Sequence, residues 1–501
     1  MKDQIAIAIL GAGLGTRLKS KLAKVLHSVA GRTLIEHAVR TAREVSEGNL
    51  IVIVGHQAEA VIDALKDLPQ QGLRFVRQEQ QLGTGHALQC ARRQLQTAGP
   101  HLLVFHGDTP LITSETLRRF IASHLGSGAA ASVMTAEMED PTGYGRILRA
   151  PDGSVASIVE QKSATPDQRR IREINTGIYC FETRQLLAEL ERIPRDPTSG
   201  EYYLTDVIGL LTHGGKKVQP YRMADASEVI GINNRAELAE VDALLRGRKA
   251  RALMLAGVTI LRPETVMIDL GVEVGPDTVL EPGVTLAGET RVGENCRIGS
   301  FSVITDSALE DNVTVKQSCV IGESKIANGA SIGPFAHLRP GSDIGPGAKI
   351  GNFVEVKKTR VGRGTKASHL TYLGDAVIGD NVNVGAGTII VNYDGEKKHT
   401  TVIEDNAFVG SGARLIAPVR VGENAFIAAG STITEEVPPD SLSIARARQT
   451  NKPGWVTARK RKAGKKSPEE KNKTQVKVLE PALGDRKKNP AKKQEAAKQL
   501  E

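Results

Sequence analysis

Three groups of residues have the types and spacing to do chemistry. The first is Leu10-Gly11-Ala12-Gly13-Leu14-Gly15-Thr16-Arg17, directly after an apolar run. Closely spaced glycines after a strand let backbone N–H groups approach phosphate oxygens, and Arg17 adds a fixed positive charge. It is not a dinucleotide fingerprint, because GxGxxG begun at Gly11 meets Thr16 where its last Gly belongs, and no GK[ST] ending makes it a P-loop. Alone, it is a phosphate cradle or a plain Gly-rich turn. The second comprises two separate residues, Lys24, which follows Lys19 and Lys21, and Asp108, which stands alone after a later apolar run in His106-Gly107-Asp108-Thr109. Such a lysine is a solvated surface residue or a phosphate contact, and an Asp just past a strand is a turn cap or a metal ligand. The third is His369, inside Lys366-Ala367-Ser368-His369-Leu370-Thr371-Tyr372-Leu373-Gly374-Asp375, with the cations Arg339, Lys357 and Lys398. Imidazole titrates near neutrality and can take a proton from an ammonium group. Three cations suit a phosphate dianion, which Arg grips with two parallel hydrogen bonds. A structural histidine and a solvated basic face are the plain alternatives.

Residues 1–233 alternate short apolar runs (Ile5 to Leu10, Leu50 to Val54, Leu73 to Val76, Leu102 to Phe105) with helix-like segments (Thr33 to Glu47, Gln57 to Lys66, Thr84 to Gln96). That is an α/β pattern, a Rossmann-like and mostly parallel sheet whose ligands gather beyond the carboxyl ends of the strands. The Gly-rich loop and Asp108 both fall at such ends. Residues 234–257, rich in Ala, Leu, Glu and Arg and free of Pro, read as one linking helix. From Ile268 to Ile433 a branched aliphatic residue returns every six positions, with Ile268, Val274, Leu280, Leu286, Val292, Ile298 and Ile304 in unbroken phase. A period of six fits neither an α-helix nor a lone hairpin. It suits a prism of hexapeptide repeats, each flat face taking one short strand and each coil covering the apolar face of the next. Steps of five occur from Ile304 to Leu309, Ile321 to Ile326 and Val356 to Val361, and one step of thirteen from Ile390 to Ile403. That last interval is too polar for a core strand and reads as a loop thrown out from the prism.

The 501 residues allow two or three domains, and 40 % apolar content without a run near eighteen apolar residues predicts no membrane span and a cytoplasmic protein. Ile5 to Leu10 runs straight into the Gly-rich turn and Arg17, so it reads as a buried strand and not a leader peptide. Cys90, Cys180, Cys296 and Cys319 lie far apart without a CxxC pair, which argues against zinc sites and a disulfide framework. Residues 459–501 hold 15 Lys+Arg against 6 Asp+Glu, the whole net charge of +9. The body is therefore neutral, and the basic character implies no specific nucleic-acid partner. From 457 onward the composition predicts a disordered basic tail.

Gly13-Leu14-Gly15-Thr16-Arg17 followed by Lys24-Val25-Leu26 resembles the sugar-nucleotide pyrophosphorylases, which join an NTP to a sugar 1-phosphate. Gln78 and Gln80-Gln81-Leu82-Gly83-Thr84-Gly85-His86-Ala87 look like the family's uracil-reading loop, and Gly107-Asp108 resembles its metal motif. Gly143 to Ile147, Ile158 to Lys162, Ile174 to Ile178 and Gly231 to Arg235 follow in an order that resembles the bacterial bifunctional enzymes of UDP-N-acetylglucosamine synthesis. In the prism, Leu338 to Gly341, Asn352 to Lys358, Lys366 to Asp375, Asn383, Asn392-Tyr393 and Lys398 resemble those enzymes' acetyltransferase site. The resemblance covers residues 4 to about 456.

The resemblance implies two active sites. UTP and UDP-N-acetylglucosamine would be bound by Leu10, Gly11, Ala12, Gly13, Lys24, Gln78, Gly83, Thr84, His106, Gly107 and Asp108, with Gly145, Glu160 and Asn175 on the sugar. Asp108 and Asn233 would hold Mg²⁺, while Lys24 and Arg17 offset the charge that develops as the sugar phosphate attacks the α-phosphorus. In a left-handed parallel β-helix over 258–456, His369 would be the general base. Arg339, Lys357, Tyr372, Asn383 and Lys398 would bind glucosamine 1-phosphate. Ala386, Asn392, Tyr393, Ser411, Ala429 and Arg446 would line the acetyl-CoA groove. A homotrimer through the prism is implied as well. The family usually has Ala at the position of Gly11, Pro at Ala23 and Tyr at His106.

Overall fold

The computed structural model describes residues 5–46 and 48–464. The run Ile5–Leu10 forms strand β1, buried along its whole length. Ile7 and Ile9 enter one core, Ala8 and Leu10 the other, as expected of a parallel strand covered on both faces. After it come α1 (Leu34–Val45), β2 (Leu50–Val54), β3 (Leu73–Arg77), α2 (Thr84–Cys90) and β4 (His101–His106). Thr33 caps α1 by accepting from Glu36 N at 3.3 Å. The expected end of that helix, Glu47, lies outside the described residues. Strands β3-β2-β1-β4 are parallel neighbours, and the register sets Leu10 beside Ile53 and His106.

Beyond β4 the sheet becomes mixed. After α3 (Ser114–Ser127) come β5 (Ala131–Glu137), β6 (Gly145–Arg149), β7 (Val155–Val159) and β8 (Glu173–Glu182). β8 runs antiparallel to β4, β5 and β6, and β6 pairs with β7 as a hairpin. Helix α4 (Thr205–His213) leads to β9 (Val218–Arg222), which is parallel to β5.

Helix α5 (Arg235–Leu255) starts where Asn234 Oδ1 accepts from Ala236 N and Glu237 N. Arg246 on it bridges Asp242 (2.8 Å) and Asp269 (2.7 Å), while Asp242 also accepts from Ala30 N at 2.7 Å. The turn after Lys24–Leu26 is thereby tied to α5 and to the first coil of the prism.

The prism runs from Thr259 to Ser443 in short parallel strands. Stacked partners lie 17 or 18 residues apart, as Arg297 over Thr314 and Val279 over Arg297 do, so each five-residue step in the sequence is a coil one residue shorter. The thirteen-residue step is a 25-residue coil, with Asn383 under Phe408. The repeated aliphatics form one core through its length. This is the left-handed β-helix of hexapeptide repeats. Two strands are long: β10 (Lys349–Lys357) and β11 (Lys366–Gly374), paired so that Asn352 stands against His369 and Glu355 against Tyr372.

Arg446 opens a second unit, of which residues 446–464 are described. The disorder expected from residue 457 does not hold over 457–464, where α6 (Trp455–Gly464) is helical. Ala, Arg and Lys favour a helix, and the Arg459 guanidinium lies 5.2 Å over the Trp455 ring. The rest of the expected tail lies outside the described residues. Among those described, no helix is long and apolar enough to cross a membrane.

Candidate functional site

At the carboxyl ends of β1 and β4, Gly11 N donates to Ile53 O and Gly107 N to Leu10 O, both at 2.9 Å. The turns Gly11-Ala12-Gly13 and His106-Gly107-Asp108 therefore leave the sheet side by side. Lys24 opens a 3₁₀ turn, and its ammonium pairs with the Asp108 carboxylate. It also donates to Asn233 Oδ1 at 3.2 Å, an oxygen that accepts from Arg17 Nη2 at 2.7 Å. Asn233 is placed by Glu237 of α5, which accepts from its N–H at 2.5 Å, and Ile232 N donates to Asp108 O at 3.2 Å. Burial alone would raise the Asp108 carboxyl, but the Lys24 ammonium, with His106 behind it, holds it below the ordinary carboxylate range. A carboxylate and an amide oxygen facing one ammonium form a donor set suited to a hard divalent cation, which takes oxygen ligands and completes its shell with water and phosphate. Among the described residues no three His, Cys, Asp or Glu side chains gather into a metal cage.

The loops expected to meet the base and the sugar are tied to one another. Buried Gln78 donates from Nε2 to Gly83 O at 3.0 Å and lies 3.1 Å from His86 Nδ1. Leu204 N donates to Thr84 Oγ1 at 3.0 Å, and Thr205 Oγ1 to Glu160 Oε1 at 3.1 Å, so the start of α4 links the two loops. Gly145 and Asn175 are partners across β6 and β8, and the His106 ring lies against Gly177 of β8. Burial raises the Glu160 carboxyl, with Asp206, Glu201 and Asp196 adding to it and Thr205 opposing. Burial likewise lowers the His106 imidazole, and Asp108 opposes that. A separate cavity of about 680 Å³, lined by His101 and His124, contains none of these side chains.

On the prism, His369 is exposed and its Nδ1 stands 2.7 Å from Asn352 Oδ1, an acceptor that fixes the Nδ1–H tautomer and leaves Nε2 free. Asn352 is quoted among the prism motifs, yet sequence reasoning gives it no role. Its stacked position one coil below the histidine is the signal that could have revealed it. Lys357 is held below the ordinary lysine range by the adjacent Lys398 ammonium, then by Arg339, with Asp375 opposing. Arg339 Nη1 donates to Glu355 Oε1 at 2.9 Å. Lys357 and Lys398 are thus neighbours, with Arg339 near enough to repel Lys357. Asn392 Nδ2 reaches Tyr372 Oη at 3.5 Å and also donates to Asp375. The extruded loop is pinned by Asp394, which accepts from Glu396 N, Lys397 N and His399, and Tyr393 bridges to Lys398.

The groove residues share one line along the prism. Gly387 N donates to Leu370 O, Gly412 N to Ala386 O and Gly430 N to Ser411 O, so Asn352, His369, Ala386, Ser411 and Ala429 occupy equivalent places on successive coils. Asn383, stacked between Lys366 and Phe408 of the two neighbouring coils, flanks that line. Arg446 belongs to the C-terminal unit.

An α/β nucleotide-cleft head and a hexapeptide prism with its own polar site define a two-site transferase. Residues 7–202 match the MobA-like NTP transferase domain. Residues 271–306, 323–358 and 400–435 match the bacterial transferase hexapeptide, and 289–333 match the hexapeptide repeat of succinyl-transferase. The chain is 50% identical over 467 residues to the bifunctional protein GlmU of Koribacter versatilis, covering 92% of this chain and 99% of that one. It is 48% identical to those of Geotalea uraniireducens (91% and 100% covered) and Shouchella clausii (91% and 99%). The chain belongs to the GlmU family: it is a bifunctional enzyme, a nucleotidyltransferase and an acyltransferase in one polypeptide.

Proposed function

We propose that the two sites act in sequence to make UDP-N-acetylglucosamine. On the prism, the glucosamine 1-phosphate amine attacks the acetyl-CoA thioester. His369 Nε2 accepts the ammonium proton, the C–S bond breaks, and CoA leaves as the thiol. The dianion is held by Arg339, Lys357 and Lys398, and the sugar is oriented by Tyr372 and Asn383. Acetyl-CoA lies along Ala386, Ser411 and Ala429, with Asn392 and Tyr393 at its reacting end. The meeting of Lys357 and Lys398 beside Arg339 is the observation that carries this half, since like charges cluster for an anion.

In the α/β cleft, a phosphate oxygen of N-acetylglucosamine 1-phosphate attacks the α-phosphorus of UTP, and pyrophosphate leaves. The Gly11–Gly13 backbone cradles the phosphates, Arg17 and Lys24 offset the growing charge, Gln78, Gly83 and Thr84 take the uracil, and Gly145, Glu160 and Asn175 take the sugar. Asp108 and Asn233 would hold Mg²⁺, which supplies further positive charge to the phosphates when bound. The convergence of Lys24, Arg17, Asp108 and Asn233 supports this half.

A cytoplasmic homotrimer completes the proposal. Phe335, Phe353 and Leu370 are 49%, 57% and 63% exposed on successive coils along the prism edge beside His369, an apolar ridge that supports self-association. Purified protein given acetyl-CoA, glucosamine 1-phosphate, UTP and Mg²⁺ should release CoA and pyrophosphate, the latter only after acetylation. Pyrophosphate formation that requires added N-acetylglucosamine 1-phosphate, without CoA release, would reduce the prism to a scaffold.

A further inference from the structure

The loop that ends at Lys24 is gripped from outside by one side chain. Gln57 Oε1 accepts from Ala23 N at 2.7 Å, and its Nε2 donates to Lys21 O at 2.9 Å. The carbonyl of Ala23 in turn accepts from Leu26 N at 3.0 Å, closing the 3₁₀ turn that Lys24 opens. Both polar groups of the Ala23 residue are therefore committed, one to the turn and one to Gln57. Ala23 is 1% exposed, so its N–H depends on that amide in place of water. Gln57 stands at the head of the short helix Ala58–Asp63 with φ +55, a left-handed backbone uncommon outside glycine, and makes no side-chain cap bond to that helix. Its side chain serves the neighbouring loop instead.

We propose that Gln57 is a positioning residue for uridylyl transfer: its amide fixes residues 21–23, and through them the direction in which Lys24 enters the turn toward Asp108 and Asn233. This rests on the reading of Lys24 as the cation that meets the phosphates. Gln57 touches no reacting atom in this scheme. It acts by setting where the Lys24 ammonium lies, and misplacement of such a group by about an ångström costs rate rather than binding.

The geometry supplies its own control. Ala23 has φ −55 and ψ 141, within the range of proline. Proline has no N–H to satisfy and restrains the chain by itself, so at position 23 it removes the need for Gln57. Full-length Gln57→Ala, Ala23→Pro, the double variant and Lys24→Ala would be assayed for pyrophosphate release from UTP and N-acetylglucosamine 1-phosphate, with acetyl transfer measured on the same preparations. Gln57→Ala should lower uridylyl kcat about tenfold while KM for UTP and acetyl transfer hold, and Ala23→Pro in that background should recover most of the loss. A Gln57→Ala enzyme within about twofold of the parent overturns the assignment, as does a loss that proline fails to repair. Full activity in Lys24→Ala would instead remove the reading beneath it, and a fault there is recognisable because it appears whatever Gln57 does.

Discussion

The two sites of this chain are built in opposite ways. The α/β cleft gathers side chains from distant parts of the sequence, with 209 residues between Lys24 and Asn233, and each arrives on a turn held by its own local bonds. The prism site takes its side chains from successive coils, with 17 residues between Asn352 and His369, and the ladder of β10 and β11 sets their spacing. A loop-built site can shift one member at a time, whereas a ladder-built site moves only if a coil does. Separability is the first consequence. Asp108→Ala should lower uridylyl transfer by about a thousandfold or more and spare acetyl transfer, and His369→Ala should do the converse. The measurement is the release of pyrophosphate and CoA from each variant. Loss of both activities in a folded protein would break the comparison.

Two glycines test how rigid each construction is. Gly15 has φ +64, and a Cβ there would lie 2.5 Å from Lys24 Cβ. Gly15→Ala should depress uridylyl transfer about a hundredfold, with the lysine displaced. Gly374 ends β11, and its Cβ would meet Tyr372 Oη at 2.4 Å and Asn392 Nδ2 at 2.8 Å. Gly374→Ala should damage acetyl transfer by a comparable factor, because a Cβ there displaces the Tyr372 hydroxyl and the Asn392 amide. The two assays, run on both variants, separate the cases.

The cation cluster on the prism gives a smaller, pH-dependent effect. In the proposed scheme the ammonium is the phosphate-binding form of Lys357, and its lowered pKa means that binding should fail sooner as pH rises than it would with an ordinary lysine. Lys398→Met removes one cation and the repulsion together. KM for glucosamine 1-phosphate should rise about tenfold at neutral pH, yet the alkaline weakening should begin at higher pH than in the parent. A KM profile in which both enzymes weaken at the same pH would show that the two lysines act independently.

Legibility in the sequence followed the same division. The six-residue period announced the prism, and even its five-residue slips were coils of 17, because a repeat writes its register into spacing. Lys24, Asp108 and Asn233 carry no such signature: resemblance nominated them, and only the fold brings their atoms together. Gln57 is not legible at all, because its role is a contact with a loop and nothing in residue type marks such a contact; Gly15 is legible as part of a Gly-rich turn but not as the neighbour of Lys24. The helix over 457–464 was missed for a different reason, since composition weighs burial, and α6 buries nothing.

The smallest expected effect bears on what a ladder adds to the histidine proposed as general base. Asn352 offers His369 a neutral acceptor, which orients the ring without charging it. Asn352→Asp keeps the acceptor and adds a negative charge, which stabilises the imidazolium. The free base is the form that takes the proton, so the acid limb of acetyl transfer should move up by about one pH unit, with the plateau at high pH nearly intact. Asn352→Leu removes the acceptor, and should lower the plateau a few-fold without moving the limb. Uridylyl transfer should ignore both. An unmoved limb in Asn352→Asp would mean that the two side chains do not face each other in the working enzyme, and that the coil fixes the position of the base but not its orientation.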